Sequence, residues 1–512
     1  MFQDESFQAS SFASCWKKEA ETRASHTQTS ELLMYDAEVQ TKYTTESVTQ
    51  TEQPQVGEVS LAACEDPSSL AAFLQRVEGS VCQQLLKNTQ TRAFEDYSVM
   101  WEEPVAMVSC IHQLADELTL EKKFSATDLS WNSTGTVLAV SYGHMGHQSW
   151  CVHEGCVGVW HLGRQPRGSP LRPGRCSLRI LAPSCAMAVA CHPTEPALLA
   201  AGTFSGELCV WSVASDDSEQ LVARSGLYHN GHHEPVSQVT WLEDSQARKQ
   251  DYNLISLGTD GKVLLWKLIQ NDQQLQLLCG FHLHQQGVWQ GAGQSSRPSD
   301  TVTEIGATCL GFSLEDKTLF LVGGENGSVL KCSLNRHVPE ASPLSEVEEH
   351  RFPSPITFSF QPHHGPVYTL SPSPFHRNLF LTCSTDASAR VYSLLESAPL
   401  LTIDPCQGFL YSCVWSSTRP MVLILGTQTG QLLVYDLQKS QVAPVEVLFV
   451  EGLGLGPVLG ISFNHSRPQV LAAVHSSGHV MVWRMSSQLA AARQGEEKRL
   501  EDLASQTLTA YS

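Results

Sequence analysis

From about residue 100 onward, apolar residues come in short runs separated by turn residues, and seven of those runs end alike. They are GCVGVWHL (155–162), GELCVWSV (206–213), GKVLLWKL (261–268), GSVLKCSL (327–334), ASARVYSL (387–394), GQLLVYDL (430–437) and GHVMVWRM (478–485). Each opens on Gly or Ala, passes a polar or small position, continues through two or three apolar residues and usually closes on an aromatic. Trp160, Trp211, Trp266, Cys332, Tyr392, Tyr435 and Trp483 occupy the equivalent position. Two further strand-like runs precede each one, most clearly in PVLGISFNHSRPQVLAAVHSSGHVMVW (457–483). Short apolar runs bounded by Gly, Asn, Ser and Pro read as β-strands. Successive equivalent positions lie 51, 55, 66, 60, 43 and 48 residues apart. The shorter intervals suit a unit of four short strands, and the longer ones the same unit with a loop inserted.

The fold this predicts is all-β, a seven-bladed propeller over roughly 105–486. Its repeats resemble the WD-repeat family. YDL (435–437) keeps an aromatic-Asp pair, GHHEPVSQVTW (231–241) keeps a Gly-His opening, and SLGTDGKVLLW (256–266) supplies a tight Asp-Gly turn. A ring of blades must close, because an unpaired edge strand invites aggregation. After Met485 the chain becomes SSQLAAARQGEEKRLEDLAS, which reads as a charged helix in a C-terminal segment, 487–512. The outer strand of the last blade must therefore come from before the first. Within 97–110, YSVMWEE (97–103) and PVAMVSC (104–110) are both candidates.

The chain before the repeats has a different grammar. Residues 1–65 are rich in Ser, Thr, Gln and Glu, acidic and poor in apolar periodicity. Such a segment cannot bury enough surface to offset its ordering entropy, so it is expected to be a disordered tail. In 66–92, Leu70, Phe73, Leu74, Val77, Val81 and Leu85 recur at helical spacing on one face. Asp66 suits an N-cap and Pro67 the first helical position. Gly79 weakens the middle by about 1 kcal/mol relative to Ala. An amphipathic helix of this length needs a partner for its apolar face, either this chain's own domain or another protein.

Composition narrows the function classes. The 512 residues carry a net charge of -19. That argues against nucleic-acid or anionic-membrane partners, which require a basic stripe. The sixteen cysteines are scattered, many inside apolar runs, with no C-x-x-C pair. This is the usage of a reducing compartment, and with no apolar run of bilayer length and no signal peptide the expected location is the cytosol.

Catalytic signatures are missing: there is no nucleophile elbow, P-loop or zincin motif. Asp260 and Asp386 sit in turns, where Asx turns account for them. HMGHQSWCVHEGC gathers His144, His147, Cys151, His153 and Cys156 within one loop. Its spacing matches no standard zinc finger, so it reads as a polar surface loop with no metal or other cofactor. The basic insertion GRQPRGSPLRPGR (163–175) and the acidic SPLSEVEEH (342–350) read as exposed excursions.

The tail repeats one tripeptide. Thr27-Gln28-Thr29 and Thr49-Gln50-Thr51 flank a near copy, Val39-Gln40-Thr41, and the three Gln residues are 12 and 10 apart. Thr-Gln-Thr also occurs at 89–91 and, inside a repeat, at 427–429, where it reads as a structural turn. Alternating β-branched residues in a free segment favour addition as a strand to a partner's sheet edge. In an acidic tail the tripeptide resembles the docking motif for the hub dynein light chain of the eight-kilodalton class. That resemblance puts Gln28, Gln40 and Gln50 at anchor positions, with the Val39 copy the weaker. Spaced sites on two tails would be zipped by successive light-chain dimers through avidity.

Tail, amphipathic helix and seven-bladed propeller together resemble the WD-repeat intermediate chains of cytoplasmic dynein-2 over the full length. The resemblance implies a non-enzymatic subunit of the motor of retrograde intraflagellar transport, needed for cilium assembly. It implies a propeller that grips the dynein-2 heavy chain and a pairing with a second, different intermediate chain. It also implies hub and roadblock-class light chains as partners, the latter on the helix face just named, with Tctex-class light chains a further partner class. It places the chain in cytoplasm and cytoskeleton, at the ciliary axoneme and the ciliary base or centrosome. A competing reading is a substrate receptor of a ubiquitin ligase. Those often carry Trp-Asp-x-Arg at the end of a blade, whereas here the Trp residues are followed by His161, Ser212, Lys267 and Arg484.

Overall fold

The computed structural model describes residues 67–90, 107–147, 151, 153–162, 176–214, 220–226, 231–244, 251–269, 273–286, 302–335, 352–450 and 454–510. The chain divides into two compact units, Met1–Met100 and Trp101–Ser512. The tail with its tripeptides, the candidate strand 97–103 and the two charged insertions lie outside the described residues.

In the first unit the described element is helix α1, Pro67–Gln90. It begins on the proline, whose fixed φ and missing N–H suit a first helical turn. Lys87 stands in its last turn, where a cation complements the helix dipole. No described helix is long and apolar enough to cross a membrane.

The second unit is an all-β propeller. Its described strands form five four-stranded antiparallel sheets, one eight-stranded sheet and a two-stranded ribbon. The eight-stranded sheet consists of two antiparallel ladders, 186–224 and 236–282, joined by one parallel pairing of Gln274 with Arg224. In every ladder the residue singled out by the sequence repeat lies on the third strand, opposite an apolar residue of the second. Trp160 faces Leu138, Trp211 Leu199, Trp266 Leu254, Cys332 Phe320, Tyr392 Phe380, Tyr435 Leu423 and Trp483 Leu471. All of these are buried, and the third-strand residue is a large aromatic in every ladder but the one that carries Cys332.

The first strand of every ladder carries a bulge at the same place. Register shifts fall between Ala126 and Asp128, Ala186 and Ala188, Val236 and Gln238, Ala307 and Cys309, Val367 and Thr369, Leu410 and Ser412, and Val458 and Gly460. A bulge sharpens twist and re-aims a side chain. Neighbouring first strands are then stitched by side chain to backbone. Thr127 Oγ1 donates to Ala186 O at 2.9 Å, Trp241 Nε1 to Ala190 O at 3.1 Å, Thr369 Oγ1 to Tyr411 O at 2.9 Å and Ser412 Oγ to Val458 O at 2.9 Å. Trp131 Nε1 donates to Ser462 O at 3.2 Å, joining the last sheet to the first.

That last sheet runs Val108–Leu114, Val480–Met485, Val470–His475, Val458–Phe463. Its outer strand thus comes from before the first ladder. It starts inside the second candidate segment and continues four residues beyond it, pairing antiparallel from Val108 against Met485 to Leu114 against Val480. After Met485 come two helices, α2 (Ser487–Ala490) and α3 (Glu496–Ala510). They are more than a charged surface: Leu489, Ala490 and Leu500 are buried, and Glu496 is completely so.

Candidate partner-binding surfaces

Two ladders carry a buried polar relay. His232 Nδ1 lies 3.0 Å from Asp260 Oδ1, its Nε2 lies 2.7 Å from Ser256 Oγ, and Trp266 Nε1 donates to Ser256 Oγ at 2.9 Å. A carboxylate only accepts, so Nδ1 carries a proton. The same arrangement recurs at His363, 2.9 Å from Asp386 Oδ2 and 2.8 Å from Thr382 Oγ1. Burial, working against the adjacent Asp386, brings His363 down to about 4. Asp386 falls to about 2 because hydrogen bonds from Ser388 and His363 outweigh its own desolvation. At neutral pH the pair is therefore a carboxylate and a neutral imidazole. Each Asp also closes an Asx turn, accepting from Lys262 N at 3.2 Å and from Ser388 N at 3.0 Å. The turn role read from the sequence is present, and the histidine contact is added by tertiary structure. These relays tie the approach to the first strand to the hairpin between second and third.

The first strands surround a cavity of about 700 Å³. The bulge residues Thr127, Met187, Ser237, Thr308, Tyr368 and Leu459 line it, along with the ladder residue Asp128. Asp128 Oδ2 accepts from Val189 N at 3.0 Å. Its carboxyl is partly open to the cavity yet lies deep in the protein, and that desolvation pushes it up to about 6. Glu325, Cys309 and Cys413 also line the cavity, but among the described residues the Asp128 carboxylate is hydrogen-bonded to the Leu129 and Val189 N–H groups and to no acid, base or nucleophile. Nothing in the sequence marked these positions, because a bulge leaves no compositional trace among Thr, Met, Ser, Tyr and Leu.

Helix α1 presents the other surface. Leu70, Phe73, Leu74, Val77, Val81 and Leu85 fall within an arc of about 120° at about 100° per residue. Phe73 is 48% exposed and Leu85 57%, Leu70, Leu74 and Val81 are similarly open, and Val77 is half-buried. The Arg76 guanidinium caps the Phe73 ring at 5.6 Å. Leu86, also exposed, lies off this arc and was not among the residues expected there. The sites expected at Thr27, Gln28, Thr29, Val39, Gln40, Thr41, Thr49, Gln50 and Thr51 lie outside the described residues. The Thr427–Thr429 copy is a turn: Gln428 N donates to Phe409 O at 2.9 Å and Thr427 Oγ1 to Gln431 O at 3.1 Å.

Residues 354–393, which include the second relay, match the WD domain, G-beta repeat family. The chain is 38% identical over 447 residues to cytoplasmic dynein 2 intermediate chain 2 of Homo sapiens, covering 86% of this chain and 80% of that protein. The chain belongs to the WD-repeat intermediate chains of cytoplasmic dynein 2. The Mus musculus cytoplasmic dynein 2 intermediate chain 2 is 36% identical over 506 residues, covering 98% of this chain and 91% of its own length. Similarity extends more weakly to dynein axonemal intermediate chain 2 of Homo sapiens, 24% identical over 377 residues, covering 72% of this chain and 55% of that protein.

Proposed function

We propose that this chain is a non-catalytic subunit of the dynein-2 motor complex that holds the motor heavy chain with its propeller and light chains with its N-terminal region. The likeness to cytoplasmic dynein 2 intermediate chains along nearly the whole chain carries this reading. The propeller is read as seven-bladed, with the eight-stranded sheet counted as two blades that touch at the Gln274–Arg224 pair. Its recurrent bulges and equivalent buried residues support that count. A second, different intermediate chain completes the assembly. Its role is retrograde intraflagellar transport and cilium assembly, in the cytoplasm and cytoskeleton, along the axoneme and at the ciliary base.

The exposed apolar arc of α1 supports docking of a roadblock-class light chain, since an amphipathic helix offers an i, i+3, i+4, i+7 set of anchors to a groove. The spaced tripeptides at Gln28, Gln40 and Gln50 support strand addition to hub light-chain dimers, alongside Tctex-class chains. Calorimetry of hub light chain with peptide 22–56 tests the tail: binding is expected, and Gln28, Gln40 and Gln50 changed together to Ala should abolish it. Unchanged binding overturns the tail assignment. Crosslinking mass spectrometry of the purified native complex tests the rest, with heavy-chain crosslinks expected on the propeller. Recovery of ligase subunits without heavy chain overturns the motor reading.

A further inference from the structure

The loop after the first ladder's second strand holds a cluster that the assembly role leaves unused. His147 follows Val137–Gly143, and Cys151 and His153 precede Gly155–His161. Cys185 sits in the short link between Leu178–Ala182 and Ala186–Cys191, where the chain passes from the first ladder to the next. One ligand atom from each of these four lies within 4.8 Å of the other three. Cys185 Sγ is 3.7 Å from His147 Nε2. In a tetrahedral zinc site, bonds of about 2.0–2.3 Å place donor pairs about 3.3–3.8 Å apart. One pair already stands at that separation, and the widest has to close by only about 1 Å. We propose that His147, Cys151, His153 and Cys185 bind a zinc ion that staples the first ladder's loop to the start of the second.

The surroundings are those of a ligand set. Cys185 is fully buried, Cys151 nearly so, His147 half-buried and His153 exposed, which leaves one open side for an ion to enter. The His144 N–H donates to Cys185 Sγ at 3.2 Å, an outer contact that would hold a thiolate. The Phe204 ring stacks on His147 at 4.1 Å and fixes its plane from the second ladder. His147 Nδ1 is buried without a hydrogen-bond partner among the described residues. The His144, His147 and His153 rings crowd to 5.1–5.6 Å of one another. Imidazole with thiolate is the donor chemistry zinc takes. The loop also approaches the link so closely that a Cβ at Gly155 would fall 2.4 Å from Ser184 O. Sequence spacing concealed the set because Cys185 stands 32 residues beyond His153.

The test measures metal in the full chain, purified with its co-expressed partners and without chelator. About one zinc per chain is expected by mass spectrometry of the metal. Replacement by Co(II) is expected to give the intense visible bands of a tetrahedral site with sulfur-to-cobalt charge transfer. Loading with zinc alone should release protons, since both thiols must ionise to bind. Cys151→Ser and Cys185→Ser should each lose the zinc, and Cys209→Ser, a buried cysteine outside the cluster, should keep it. His153→Ala, at an exposed side chain that leaves the fold intact, should weaken zinc binding about tenfold or more. A metal-free wild type with no tetrahedral cobalt spectrum overturns the proposal. So does zinc retained by Cys151→Ser, full affinity in His153→Ala, or a native Cys151–Cys185 disulfide.

Discussion

Arg419 Nε donates to both carboxylate oxygens of Glu496, at 3.1 and 3.2 Å, and neither side chain has any exposed surface. Arg419 also reaches Asp436 Oδ2 at 3.1 Å and Gln488 O at 3.0 Å. Desolvation of the guanidinium is outweighed by these two acids, and its affinity for a proton rises. The first residue of α3 is thereby locked onto the sheet that contains Leu410–Trp415 and Leu432–Asp436, and Leu500 and Ala504 pack beside it. Removing one member of a buried ion pair strands the other, at a cost of about 3–5 kcal/mol. Glu496→Ala and Arg419→Ala should each lower unfolding stability by that amount. A double-mutant cycle by urea denaturation should show the pair strongly coupled; additive losses would contradict the geometry.

The His363–Asp386 relay makes a pH dependence. The folded imidazole sits near 4, below its usual range. A histidine depressed by folding contributes stability that is complete above its unfolded value of about 6.5 and is lost as pH falls toward the folded one. Between pH 7 and pH 5 this single group should cost about 2 kcal/mol. His363→Asn should be less stable at pH 7 yet show a shallower slope across that window. Denaturation at both pH values reads the difference.

At the turn between second and third strands, Gly206, Gly327, Gly430 and Gly478 all adopt positive φ, and the equivalent Ala387 does so at 66°. An L-residue with a Cβ is strained there by about 1–2 kcal/mol. Ala387→Gly relieves this at some entropic cost, so a gain of about 0.5–1 kcal/mol in unfolding stability is expected. A loss would mean that the Ala387 methyl contributes more than the strain.

Val108–Leu114 completes the last sheet by pairing with Val480–Met485. Deleting 107–114 should expose that inner strand as an open edge and drive the propeller into aggregates. Light scattering of the deletion beside the intact chain checks this, and a monodisperse deletion would show that the strand is dispensable.

The apolar arc of α1 should behave as a binding face. Phe73→Asp with Leu74→Asp is expected to leave the propeller's melting temperature unchanged. The same change should abolish co-purification of a roadblock-class light chain. Retained co-purification would place that partner elsewhere.

The sequence by itself determined the β-strand repeat, the residues at each equivalent buried position and the helical face of α1. These are local: a period of two or of 3.6 and a turn residue leave their mark in consecutive letters. Tertiary structure alone decided where the closing strand begins, because both candidates had strand-like patterning and only pairing with Val480–Met485 separates them. It alone aimed the bulge residues into the cavity, since a bulge is a register fact between two strands. It also brought Arg419 to Glu496 across 77 residues and Cys185 to His153 across 32. Those contacts depend on how consecutive sheets stack around the ring, and no spacing along the chain encodes them.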